Sequence, residues 1–139
     1  MYIITTAGMV GGIVSAAMGG WDAILQALFV LMATDYISGW IVAIVFNGSR
    51  KTKSGAFSSR IAAKGLSRKV ALLLLVVAGH FIDNALGTRF LRDGIIFGMM
   101  AQELGSLMEN VALTGVRIPK VMKRILDVLH EKGGEDKTD

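Results

Sequence analysis

What most restricts this chain is where its charges fall. Residues 1–47 hold only Asp22 and Asp35, whereas residues 50–69 hold Arg50, Lys51, Lys53, Arg60, Lys64, Arg68 and Lys69 with no acid among them. A helix in water needs charge along its outer face, and a helix solvated by lipid does not. Loops rich in Lys and Arg stay on the cytoplasmic side of a membrane. The basic block therefore reads as a cytoplasmic loop between membrane segments, its side chains placed against anionic lipid headgroups. Composition agrees. The 139 residues are 53% hydrophobic, above the roughly 45–50% usual for a soluble domain even with Gly counted as apolar, and the mean hydropathy is +0.54.

The chain has no Cys, which excludes disulfides and thiolate metal sites. The net charge of +4 borders apolar runs and has only Phe57 interleaved in the basic block, so no nucleic-acid partner is read. The N-terminus lacks a basic region, so no cleaved secretory signal is expected.

Taken in order, residues 1–20 form a glycine-rich first segment. Gly8, Gly12, Ala16 and Gly20 recur every fourth position, a smooth row that lets another helix approach, in the same subunit or in a second one. Its length is the least that usually spans a bilayer, so it is either a first span or a conditionally inserted segment. Residues 21–47 form a second span after a Trp21–Asp22 turn. Asp35 falls near its middle, where a carboxylate costs roughly 2.5–3.5 kcal/mol and must face protein or water. Ser38 and Gly39 share its helical face. Residues 48–69 are the basic loop, ending in a short helix capped by Ser58 or Ser59.

Residues 70–114 read as a transmembrane hairpin. Its first arm runs to Thr88 and places His80, Asp83, Asn84 and Gly87 on one face. Arg89 and Arg92 in the connecting turn mildly violate the positive-inside tendency. The second arm, residues 94–114, gathers Gln102, Glu103, Ser106, Glu109 and Asn110 within about 120° of helix circumference. Gly94, Gly98 and Gly105 make a small-residue stripe beside them. Residues 115–132 read as an amphipathic helix on the cytoplasmic leaflet or on a neighbouring subunit, started by Pro119. Its apolar face is Ile118, Val121, Met122, Ile125, Val128 and Leu129. Residues 133–139 read as a disordered tail.

The expected fold is thus an all-α integral membrane protein. It is a small bundle of three to four transmembrane helices plus a C-terminal amphipathic helix, with the C-terminus cytoplasmic. Three spans put the N-terminus outside and four put it inside. No catalytic or cofactor motif stands up: His80 and Asp83 lack a nucleophile in a strained turn, and the His and acid spacings match no established metal set. Polar residues in spans mark water or ion pathways. Asp35, His80, Asp83, Asn84, Gln102, Glu103, Ser106, Glu109 and Asn110 are therefore read as pore-lining or intersubunit polar residues.

Several of these residues also resemble a known family. Asp35-Tyr36-Ile37-Ser38-Gly39, then Lys64-Gly65-Leu66-Ser67-Arg68-Lys69, then His80-Phe81-Ile82-Asp83 with Leu86-Gly87, are similar to the phage lysis and toxin secretion holins. So are Glu103, Ser106-Leu107, Glu109-Asn110, Gly115 and Ile118-Pro119. The resemblance covers roughly residues 25–120 in order and spacing. It implies a non-enzymatic homo-oligomer of the bacterial cytoplasmic membrane that opens lesions for a partner endolysin or, in some members, a toxin. A small proton-coupled transporter or ion channel, or a non-conducting scaffold, would use the same residue types.

Overall fold

A computed structural model describes residues 1–49 and 51–134, which form five helices and no strand. Arg50, one of the expected headgroup contacts, and the tail from residue 135 lie outside the described residues.

Helix α1 (Tyr2–Ala17) is apolar but only 16 residues long and buries none of them. It is followed by Gly19 and Gly20 at φ of 90° and 99°, left-handed values that glycine adopts without strain. Gly20, read as the end of a packing row, therefore lies in the turn and not in the helix. Helix α2 (Ala23–Ile44) starts where Asp22 accepts a hydrogen bond from the Leu25 N–H at 3.0 Å, the usual way a first-turn donor is satisfied. Its 22 residues are long and apolar enough to cross a membrane.

Helix α3 (Ser59–Leu86) runs unbroken for 28 residues. The basic stretch and the apolar run expected as two segments meeting at residue 70 are thus one helix, because nothing between Arg60 and Val77 breaks helical geometry. Gly87, at φ 69°, ends it. Helix α4 (Phe90–Leu113) begins four residues before the expected second arm. Helix α5 (Lys120–Lys132) follows Pro119. Of the three or four spans expected, α2 alone meets the length and apolarity of a membrane helix among the described residues. The reason lies in the charges: α3 carries Arg60, Lys64, Arg68, Lys69 and Asp83, and α4 carries Arg92, Asp93, Glu103 and Glu109.

Helix α4 is the centre of the packing, with α2, α3 and α5 against it. Between α2, α3 and α4, Leu25, Leu28, Val76, Ile96 and Met99 form an apolar layer closed at one end by Met18. A second cluster joins Ala101 and Leu104 of α4 to Leu129 of α5, with Met122 and Leu126 beside it. Helix α5 therefore docks on α4 of its own chain. It sits over the expected small-residue stripe. A Cβ on Gly133 would come within 2.8 Å of the Gly98 Cα, and the spaces at Gly94 and Gly105 end at Lys132 and Leu126. The docked face is Met122, Leu126 and Leu129, while Val121, Ile125 and Val128 of the expected apolar face stay exposed. The Lys132 ammonium lies 5.2 Å over the Phe97 ring.

Candidate functional site

Two polar hubs bracket the apolar layer. They are set by Arg92 and Glu103, which stand eleven positions apart on α4, about 16 Å at the helical rise.

The first hub begins with Asp83 of α3. Its carboxylate accepts from the backbone N–H of Leu91 at 3.2 Å and of Arg92 at 2.9 Å, and from the Thr88 hydroxyl at 2.5 Å. It thereby does for α4 what an N-cap side chain normally does, and α4 can start at Phe90. Gly79, one turn earlier, lets the helices touch: a Cβ there would lie 2.8 Å from Ile95 Cδ1 and 3.2 Å from Arg92 Cα. Arg92 then reaches across the bundle. Its Nε donates to the Met18 carbonyl at 2.6 Å and its Nη2 to the Gly20 carbonyl at 3.4 Å. Its Nη1 meets Asp22 at 2.8 Å and Asp93 at 2.7 Å. The guanidinium is almost wholly buried and ties the end of α1 to the start of α2. The hydrogen bond from Arg92, helped by the Leu25 N–H, holds the Asp22 carboxyl below the usual carboxylate range. Gly19 leaves room for this, since a Cβ would sit 2.7 Å from Arg92 Nε and 2.8 Å from His80 Nδ1. His80 Nε2 and the Asn84 amide pair at 3.2 Å on the rim.

The second hub is centred on Lys69. Its ammonium bridges Asp35 of α2, at 2.7 Å, and Glu103 of α4. The other Asp35 oxygen accepts from the Asn110 amide at 3.2 Å, and Asn110 also reaches the Ser38 hydroxyl at 3.0 Å. Ser38 donates back to the Asp35 carbonyl at 2.9 Å. Asp35 and Ser38, three residues apart on one face, make the seat for Asn110. Gly39 borders the seat: a Cβ there would stand in ordinary contact with the Asn110 amide nitrogen at 3.6 Å. Near this level the Tyr36 hydroxyl donates to the Ala62 carbonyl at 3.1 Å, joining α2 to the basic part of α3. Among the described residues, no buried side-chain nitrogen or oxygen lacks a partner. Buried charges become tolerable in that condition.

The polar residues of α4 are divided by this packing. Glu103 and Asn110 turn inward to the Lys69 hub, while Gln102 and Glu109 are exposed and Ser106 is half-buried. Asp83 and His80 belong to the other hub, so the residues read together from the sequence occupy two separate places. In α1, Gly8 and Gly12 have nothing within 4 Å of where a Cβ would stand. Sequence reasoning missed Arg92 as a hub, and the available signal was two acids, Asp22 and Asp93, at the same end of the apolar runs as Arg92.

The sequence pattern of the bacteriophage holin family matches residues 12–131. This chain belongs to that family. Relatives include an uncharacterized protein of Listeria monocytogenes, 35% identical over 91% of this chain and 85% of its own length. An uncharacterized protein of Halalkalibacterium halodurans is 30% identical over 95% of each chain. An uncharacterized protein of Clostridium perfringens is 33% identical over 82% of each. No solved structure matches. Family membership makes the chain a holin-like protein of the bacterial inner membrane, in a family that is generally non-enzymatic.

Proposed function

We propose that this chain is a holin in the strict sense, a non-enzyme that oligomerises in the cytoplasmic membrane and opens lesions through which a folded endolysin, or a large toxin, passes. The observation that carries this reading is the divided polar stripe of α4. One edge, Glu103 and Asn110, faces the Lys69 hub, while Gln102 and Glu109 are exposed on the other side of the helix. An outward polar edge on a membrane helix is favourable only where another subunit or water meets it. The exposed small-residue rows of α1 supply a face on which copies can pack closely.

In this reading α2, the apolar part of α3, and α4 cross the bilayer, with α1 as a further span or an inserting segment. Internal pairing of Asp35, Lys69 and Glu103, and of Arg92 with Asp22 and Asp93, together with the backbone and hydroxyl donors on Asp83, is what lets α3 and α4 enter lipid despite their charge. The basic part of α3 and the C-terminus remain cytoplasmic. As copies accumulate, α4 edges line a wet wall and apolar faces stay against lipid.

Replacing Glu109 by Leu tests this. The variant is expected to reach the membrane at normal level yet give no depolarisation and no lysis. Lysis at the normal time by Glu109→Leu overturns the assignment. A proton-coupled transporter is the second reading, favoured by the buried Asp35–Lys69–Glu103 network; saturable pH-driven flux without passage of folded protein distinguishes it.

A further inference from the structure

A cleft of about 540 Å³ opens between the basic half of α3 and the outer edge of α4. Ile61, Lys64, Gly65, Arg68 and Leu72 form its α3 wall, Gln102 and Ser106 its α4 wall, and the Lys69 hub its floor. Lys51 reaches in from the loop. Four cations therefore face two carboxylates, and both carboxylates are already held by Lys69. Among the described residues Lys51, Lys64 and Arg68 have no carboxylate within ion-pair distance. The cleft is thus a partly open excess of positive charge with neutral donors on the opposite wall.

One position of its α3 wall carries no side chain. Gly65 lies between Lys64 and Arg68, and a Cβ on it would meet nothing within 4 Å. The missing side chain leaves a recess whose rim carries the two cations. Beyond Leu72 the same face of α3 continues to Leu75, which is 52% exposed. An apolar track therefore leads away from the charged recess along the helix.

We propose that this cleft binds the phosphodiester headgroup of an anionic glycerophospholipid, with one acyl chain laid along Leu72 and Leu75. Lys64, Arg68 and Lys51 take the phosphate oxygens, which suits charge-assisted hydrogen bonds, and Gln102 and Ser106 take the glycerol oxygens. The apolar track selects a lipid over free phosphate. This rests on the reading that the basic half of α3 lies at the inner leaflet. Bound lipid would sit against Gln102 and Ser106, on the α4 edge assigned above to subunit assembly, and so couple membrane composition to assembly.

The test is native mass spectrometry of the detergent-purified full chain with phosphatidylglycerol, phosphatidylcholine or inorganic phosphate added. Phosphatidylglycerol is expected to be retained in preference to phosphatidylcholine, and inorganic phosphate should not displace it. Lys64→Gln should weaken retention about fivefold, the effect of one basic residue at a lipid surface. Arg89→Gln, the same charge change at an exposed residue at the other end of the bundle, outside the cleft, should leave it unaltered. Gly65→Leu fills the recess without removing charge and should abolish the preference; Gly65→Ala, which enters open space, controls for the fold. Equal loss from Arg89→Gln and Lys64→Gln, or full retention by Gly65→Leu, means diffuse attraction and overturns the site. Displacement by inorganic phosphate overturns the lipid assignment. None of these readouts depends on lesion formation, so failure here and failure of the holin reading are separable.

Discussion

Replacing Lys69 by Met keeps most of the side chain's volume but removes the one cation that the described contacts place on Asp35 and Glu103. The side chains of both acids are at least nine-tenths buried. Each carboxylate binds the same ammonium, so their nearest oxygens lie no more than about 5 Å apart once it is gone. At an effective dielectric of about 20, two like charges at that distance repel by about 3 kcal/mol. Breaking a buried ion pair by deleting one partner generally costs about 3–5 kcal/mol. Lys69→Met should therefore lose about 3–5 kcal/mol, read as reversible unfolding in mixed micelles by far-ultraviolet circular dichroism. Asp35 keeps the Asn110 amide, so adding Glu103→Gln to Lys69→Met removes the repulsion and should recover more than half of the loss. Two results would refute the reasoning. One is Lys69→Met within about 1 kcal/mol of the parent, below the cost of an unpaired buried charge. The other is a double variant no more stable than the single.

The other hub gives a pH dependence with a definite sign. Asp22 titrates below its unfolded value in the fold, so its contribution is present above the unfolded carboxylate pKa and lost as pH falls through the lower folded one. Acidification below about pH 4 should loosen the α1–α2 junction in the parent and not in Asp22→Asn. The effect should be at most about 1 kcal/mol because the group is half-exposed and screened. Gly79→Ala should destabilise by about 1–3 kcal/mol, as overpacking does, because its Cβ would meet α4 at 2.8–3.3 Å. Gly12→Leu should leave monomer unfolding unchanged, since nothing lies near it, yet block oligomers in crosslinking and delay lysis. Unaltered crosslinking would remove α1 from the assembly.

Much of the helical layout was legible in residue order. Asp22 marks the start of α2 and Pro119 the start of α5, each through local backbone chemistry that needs no partner; Gly87, read as part of the polar face of α3, instead ends that helix. The shared face of Asp35, Ser38 and Gly39 was legible too, because helical spacing alone sets it. What escaped depended on another helix. Helix α4 starts early because Asp83 of α3 satisfies its first donors, and no residue within α4 announces that. Its polar residues occupy one arc, and only the positions of α2 and α3 decide that Glu103 and Asn110 go in while Gln102 and Glu109 stay out. Arg92 looked like a loop charge on the wrong side of the membrane. Its burial against Asp22, Asp93 and two carbonyls accounts for its place without invoking topology. Leu126 was missed because the apolar arc of α5 is wide, and docking on α4 uses one flank of it.

The most direct test of the account is induced expression in bacteria together with a folded cytosolic muralytic enzyme, with membrane potential and optical density followed on the same culture. The account predicts an abrupt depolarisation followed by lysis that requires both proteins. It is contradicted if the chain is confirmed in the inner membrane and the potential holds, or if the potential collapses while the enzyme stays inside.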